Sequence, residues 1–183
     1  MKAYRVAILV GSLRRDSYNR QLAEALIAAG SGRFEFQRVR IDDLPLYNQD
    51  HDENQAEPVR RMKRQVREAD GVIFVTPEYN RSIPGVLKNA IDHGSRPFDD
   101  SVWAGKPAGV MGASPGSMAT ALSQRDLRNV LASLDMPTLA QPEAYVLVKE
   151  GTFNNIGGVN EESVHVFMQD WLHRYAAWVA RFA

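Results

Sequence analysis

Ser12, Arg14, Ser17 and Asn19 fall within eight residues of one another, directly after the apolar run Val6 to Val10. Hydroxyl, amide and guanidinium groups set this close, where a helix begins, make a cluster of donors aimed at an anion. The first turn of a helix adds backbone N–H groups that have no intrahelical partner. The stretch Gly11-Ser12-Leu13-Arg14-Arg15-Asp16-Ser17-Tyr18-Asn19 lacks the Gly-Lys-Ser/Thr ending of a Walker loop and is not G-x-G-x-x-G. Its hydroxyl-rich makeup suits a terminal phosphate monoester better than a pyrophosphate. Helix capping by Ser17 explains that residue alone and leaves Ser12 and Arg14 unexplained.

A second stretch, Thr76-Pro77-Glu78-Tyr79-Asn80-Arg81-Ser82-Ile83-Pro84-Gly85, is stiffened by two prolines. Tyr79 offers a flat amphipathic surface to a planar ring, and the backbone of a rigid loop can read the polar edge of a heterocycle. A third, Gly112-Ala113-Ser114-Pro115-Gly116, matches the G-x-S-x-G nucleophile elbow, and Asp135 or Asp170 with His165 or His173 completes an order Ser…Asp…His. That makes a serine hydrolase the rival chemistry. The residue after the serine is Pro115, however, which has no N–H to give an oxyanion hole, and one lost donor costs about 10²–10³ in rate. Ser114 is therefore expected to be a ligand-loop residue before a nucleophile.

Other chemistries find little support. The 183 residues contain no Cys, which excludes disulfides, thiolate metal sites and a Cys nucleophile. His51 sits among Asp50, Asp52 and Glu53 without a second His, and His165 and His173 lie about 80° apart on a helix, so no metal site is expected. Lys plus Arg and Asp plus Glu both number 22, evenly distributed, which gives no nucleic-acid arm. The longest apolar run, Tyr175 to Ala180, is six residues, far short of the roughly 20 of a membrane span. With no recognisable export signal, a cytoplasmic location is expected.

The elements that must position these loops follow from periodicity. Strands are expected at Val6 to Val10, Phe34 to Ile41, Val72 to Val75, Ala108 to Met111 and Tyr145 to Val148. Helices are expected from Ser17 or Asn19 to Gly30, from Pro58 through Val59, Met62 and Val66, from Pro84 to Gly94, from Ser117 to Leu134 and from Glu161 to Phe182. Asp42 to Glu57 reads as a surface loop, and Arg60, Arg61, Lys63, Arg64 and Arg67 as a solvated face. Five β/α alternations with apolar strands mean an α/β fold, a parallel sheet covered on both faces, in one domain over residues 1–183. Ligands of such sheets sit at the carboxyl ends of the strands, where all three loops fall.

Gly11-Ser12-Leu13-Arg14 with Ser17 and Asn19, then Pro77-Glu78-Tyr79-Asn80, then Pro84-Gly85-Val86-Leu87-Lys88-Asn89-Ala90-Ile91-Asp92, resemble the NAD(P)H-dependent FMN reductase family, with its quinone and chromate reductase members. Gly105-Lys106-Pro107 extends the likeness. The resemblance implies a three-layer flavodoxin-like fold with sheet order 2-1-3-4-5 and bound FMN. Ser12, Leu13, Arg14, Ser17, Tyr18 and Asn19 would surround the phosphate. Pro77, Glu78, Tyr79 and Asn80 would meet the isoalloxazine, and Ser114, Pro115 and Gly116 would close the other side. The chain departs from the family pattern at Asp16, His93, Ala119 and Leu122.

The activity so implied is ping-pong hydride transfer from NADPH or NADH to a small-molecule acceptor such as a quinone, flavin, azo compound or chromate, without a catalytic side chain. Arg14 or Arg15 would meet the 2′-phosphate of NADPH. An electron carrier that binds FMN but does not oxidise nicotinamide is the alternative, and zero net charge disfavours it, since such carriers tend to be acidic. A homodimer or homotetramer is expected, with the third helix and Arg125, Asp126 and Arg128 at the contact.

Overall fold

The computed structural model describes residues 3–154 and 158–182. Among them β1 (Tyr4–Val10), β2 (Phe34–Arg38), β3 (Gly71–Val75), β4 (Ala108–Ser114) and β5 (Ala144–Leu147) form one parallel sheet in the order β2-β1-β3-β4-β5. Helices α1 (Tyr18–Ala29), α2 (Glu57–Arg67), α3 (Gly85–Gly94), α4 (Ala121–Ser133) and α5 (Glu162–Val179) make the crossovers and the closing element. The flavodoxin-like order expected from the resemblance is the observed one.

Strand alternation divides the core into two layers. Val6 and Ile8 of β1 pack with Leu22 and Leu26 of α1 and Trp171 and Tyr175 of α5. Ala7 and Leu9 face the other way, onto Met62 and Val66 of α2, Leu87 and Ile91 of α3 and Leu127 and Leu131 of α4. Each fully buried Leu or Ile contributes roughly 1.5–3 kcal/mol, so both faces of the central strands need helical cover. The edge strands have less of it: β5 alternates buried Ala144 and Val146 with exposed Tyr145 and Leu147.

Several bounds differ from expectation for physical reasons. The strand β4 runs on to Ser114, and pairing of Ser114 with Leu147 makes Gly112 and Ala113 strand residues instead of loop. The helix α4 starts at Ala121, four positions late, because Pro115, Gly116 and a positive φ of 48° at Ala119 hold the preceding segment in turns. The strand β2 ends at Arg38, although Val39 and Ile41 stay buried beyond it. Residues 42–57 are not all loop, since a 3-10 helix spans Gln49–Asn54, capped by the Asn48 side chain. Lys63 is not on a solvated face: it is 1% exposed, and its ammonium donates to Asp100, Arg96 O and Gln55 Oε1. Arg128 also turns inward, with Nη1 donating to Leu139 O at 2.7 Å, so it is not part of an exposed patch.

Candidate active site

The first loop leaves the carboxyl end of β1 and enters α1. Ser12 and Ser17 are buried, at 6% and 3% exposure, and Ser17 Oγ accepts from the N–H of Arg20, capping the helix. None of the backbone N–H groups from Ser12 to Asn19 has a partner among the described residues, and neither has Ser12 Oγ. A bend lined with free donors at a helix start is a cradle for a phosphate. Arg14 folds over this bend, its Nε donating to Asp16 O at 3.1 Å and its guanidinium carbon 5.1 Å from the centre of the Tyr18 ring. Leu13 points out, 55% exposed.

Asn19 does something that residue types alone do not reveal. Its amide is buried and bridges to β4, with Nδ2 donating to Ala113 O and Oδ1 accepting from Ala113 N, both at 2.9 Å. Its side chain thus pins the first loop to the strand that carries the third. Its backbone N–H is left without a partner among the described residues.

The second loop is a tight hairpin. Tyr79 and Ser82 exchange both backbone hydrogen bonds at 3.1 Å, and Asn80 and Arg81 occupy the turn with φ of 51° and 70°. Two positive φ values in succession are those of a type I′ turn. The helix α4 fixes this hairpin from behind. Glu78 Oε2 accepts from the N–H groups of Leu122 and Ser123 at 3.0 and 3.2 Å, a carboxylate on a helix N-terminus. Ser82 Oγ donates to Asp126 at 2.8 Å, while Arg125, chiefly, and then Ser82 hold the Asp126 carboxyl below its ordinary range. Pro77 is buried, Tyr79 is 50% exposed, and the N–H groups of Glu78 and Asn80 have no partner among the described residues. The Glu78 carboxylate is thus taken up by α4, and its N–H is left free among the described residues.

In the third loop Ser114 Oγ accepts from Gly116 N at 3.1 Å, and Pro115 and Gly116 are exposed. No His is among the partners of Ser114, and His165 lies near Gln169 on α5. With the helix beginning only at Ala121, this is not a strand-turn-helix elbow, which removes the geometric basis for a serine nucleophile. Upstream, Gly112 lets β4 approach the second loop: a Cβ there would lie 2.2 Å from Thr76 O and 2.4 Å from Thr120 Oγ1. Met118, unremarked in the sequence, is 49% exposed.

The three loops follow β1, β3 and β4, adjacent in the sheet, and each presents one large exposed apolar side chain: Leu13, Tyr79 and Met118. Free N–H donors lie in the first loop and at Glu78 and Asn80 in the second. A ligand with a phosphate at one end and a flat, polar-edged ring at the other matches that distribution, as FMN does. His51 is exposed on the 3-10 helix, and no cluster of three or more metal-ligating side chains occurs among the described residues.

A parallel sheet in this order, with these loops at the switch point, defines a flavodoxin-like protein. The chain belongs to the NADPH-dependent FMN reductase family, which matches residues 4–151. It is an enzyme with FMN and NAD(P)H as its cofactors. It is 48% identical over 177 residues to a 2-hydroxy-1,4-benzoquinone reductase of Burkholderia sp., covering 97% of both chains. It is 44% identical over 179 residues to a quinone reductase of Pseudomonas putida, covering 97% of this chain and 96% of that one. The solved structure of FerB, a flavoenzyme NAD(P)H:(acceptor) oxidoreductase from Paracoccus denitrificans, superimposes with a TM-score of 0.95 at 39% identity, over 98% of this chain and 99% of the other.

Proposed function

We propose that the protein is a quinone reductase in which hydride donor and acceptor take turns over one flavin face, a ping-pong mechanism. The observation that carries this is the pairing of a donor-lined bend from Ser12 to Asn19 with exposed Leu13, Tyr79 and Met118 on three neighbouring loops. When bound, FMN supplies the hydride chemistry, and the protein supplies placement. The N–H groups from Ser12 to Asn19, with Ser12 Oγ and Arg14, would hold the phosphate. Ser17 and the side chain of Asn19 would set the shape of that bend, and Tyr18 would carry Arg14. The N–H groups of Glu78 and Asn80 would read the ring edge beside Pro77 and Tyr79, and Ser114 to Gly116 would border the other side.

Each large apolar side chain excludes water from one edge of an open surface, on which a planar acceptor can replace nicotinamide. Two relatives named for quinones favour a quinone as acceptor. Free flavins, azo compounds and chromate suit the same open face. Residues 1–183 would act as one FMN-binding domain, in a homodimer or homotetramer and in the cytoplasm. Initial rates measured with NADPH varied at several fixed benzoquinone concentrations test the mechanism. Parallel double-reciprocal lines are expected, and lines that intersect would overturn the shared site.

A further inference from the structure

On the β2 side of the first loop, a groove of about 550 Å³ opens between α1 and the chain leaving β2. Its lining includes the aliphatic Ile8, Val10, Val39 and Ile41, of which Val10 is the one not buried, and Ser12 and Leu13 of the first loop form one wall. Of the charged groups on its rim, Arg38 is bonded to both oxygens of Glu24, and Arg40 Nε donates to Asp42 at 2.7 Å. Arg20 has no carboxylate partner among the described residues; its one side-chain contact is a long one, 3.5 Å to Arg15 O. The two internal pairs cancel, so the groove carries the uncompensated charge of one arginine.

We propose that this groove receives the adenosine end of NADPH, with Arg20 on its 2′-phosphate. The inference rests on the reductase reading above. The part-aliphatic, part-charged lining suits a nucleoside phosphate, and the volume lies within the roughly 300–1,000 Å³ of small-molecule sites. A guanidinium free of carboxylates is the natural complement of a phosphate monoester, which it can meet with two parallel hydrogen bonds. The flavin phosphate has its own donors, the N–H groups of the bend that continues from the Ser12–Leu13 wall. A dinucleotide lying across that wall reaches the exposed apolar side chains with its nicotinamide and the groove with its other end. Arg20, not Arg14, is then the residue that separates NADPH from NADH, because Arg14 is turned onto Asp16 O and the Tyr18 ring.

The test uses the FMN-loaded enzyme and its Arg20→Gln variant. Calorimetric titration with adenosine 2′-monophosphate is expected to show binding to the wild type that weakens roughly ten- to a hundred-fold in the variant, the range for a charge-assisted contact. Flavin content should be unchanged, KM for NADPH should rise by a similar factor, and kcat/KM for NADH should stay as it was. Equal affinity of both proteins for adenosine 2′-monophosphate, or none in the wild type, overturns the assignment. Loss of flavin, or equal loss of NADPH and NADH activity, also overturns it by placing Arg20 with the flavin. Failure of wild-type NADPH to reduce the flavin sinks the reductase reading itself, whatever the titration shows.

Discussion

At the scale of single residues, Asn19 shows how a side chain suited to touching ligand can be occupied in building the site instead. Its amide satisfies both the N–H and the C=O of Ala113, in the buried space between the first loop and β4. Asn19→Ala leaves those two backbone groups without partners, which should cost about 2 kcal/mol or more. It should weaken FMN binding as well, because the bend is no longer tied to the strand. Urea unfolding and flavin release by dilution measure the two effects. A variant as stable as the wild type and equally yellow would show the bridge to be dispensable. Nothing in the sequence announces this contact, since its ends are 94 residues apart. Glu78 is similar: the residue type points to a ligand, while the carboxylate sits on the start of α4 and only the backbone remains free. Short-range chemistry, by contrast, was readable, as in the Ser17 cap.

Among the elements, α2 shows where pattern fails. Val59, Met62 and Val66 form the expected apolar stripe, and Lys63 falls beside it in the run of charges, yet its ammonium is buried. The reason is tertiary. Asp100, in the 3-10 turn Phe98–Asp100 after α3, accepts from both Lys63 and Arg67 and so lets a charged face pack. The Lys63 bond, foremost, holds the Asp100 carboxyl below its ordinary range. A carboxyl lowered in the folded state adds stability above about pH 4, and that stability is lost as pH falls through the folded value. Asp100→Asn should therefore cost about 1–2 kcal/mol at pH 7, the modest end for such pairs because Asp100 is half exposed. The gap to wild type should begin to narrow below about pH 4 and close below the folded value. A gap equally wide in urea unfolding at pH 7 and pH 3 would show that the ion pair is not its source.

For the whole molecule, alternation of apolar runs with helical periods was enough to indicate the sheet and its two-sided cover. The order of strands came from resemblance, because periodicity does not rank neighbours, and pairing of β1 with both β2 and β3 bears it out. The hairpin from Tyr79 to Ser82 and the exposed Met118 became visible only with the three loops side by side. Their arrangement, donors for a phosphate and apolar side chains around an open surface, supports a reductase whose reactivity belongs to the flavin. Among the described residues no helix is long and apolar enough to cross a membrane. Such a reductase oxidises NADPH through its bound flavin before any acceptor is present. Anaerobic stopped-flow mixing of the FMN-loaded protein with NADPH tests it most directly. Flavin absorbance should bleach on mixing and recover when benzoquinone is added; absorbance that stays unchanged on mixing would show that the flavin takes no hydride from NADPH.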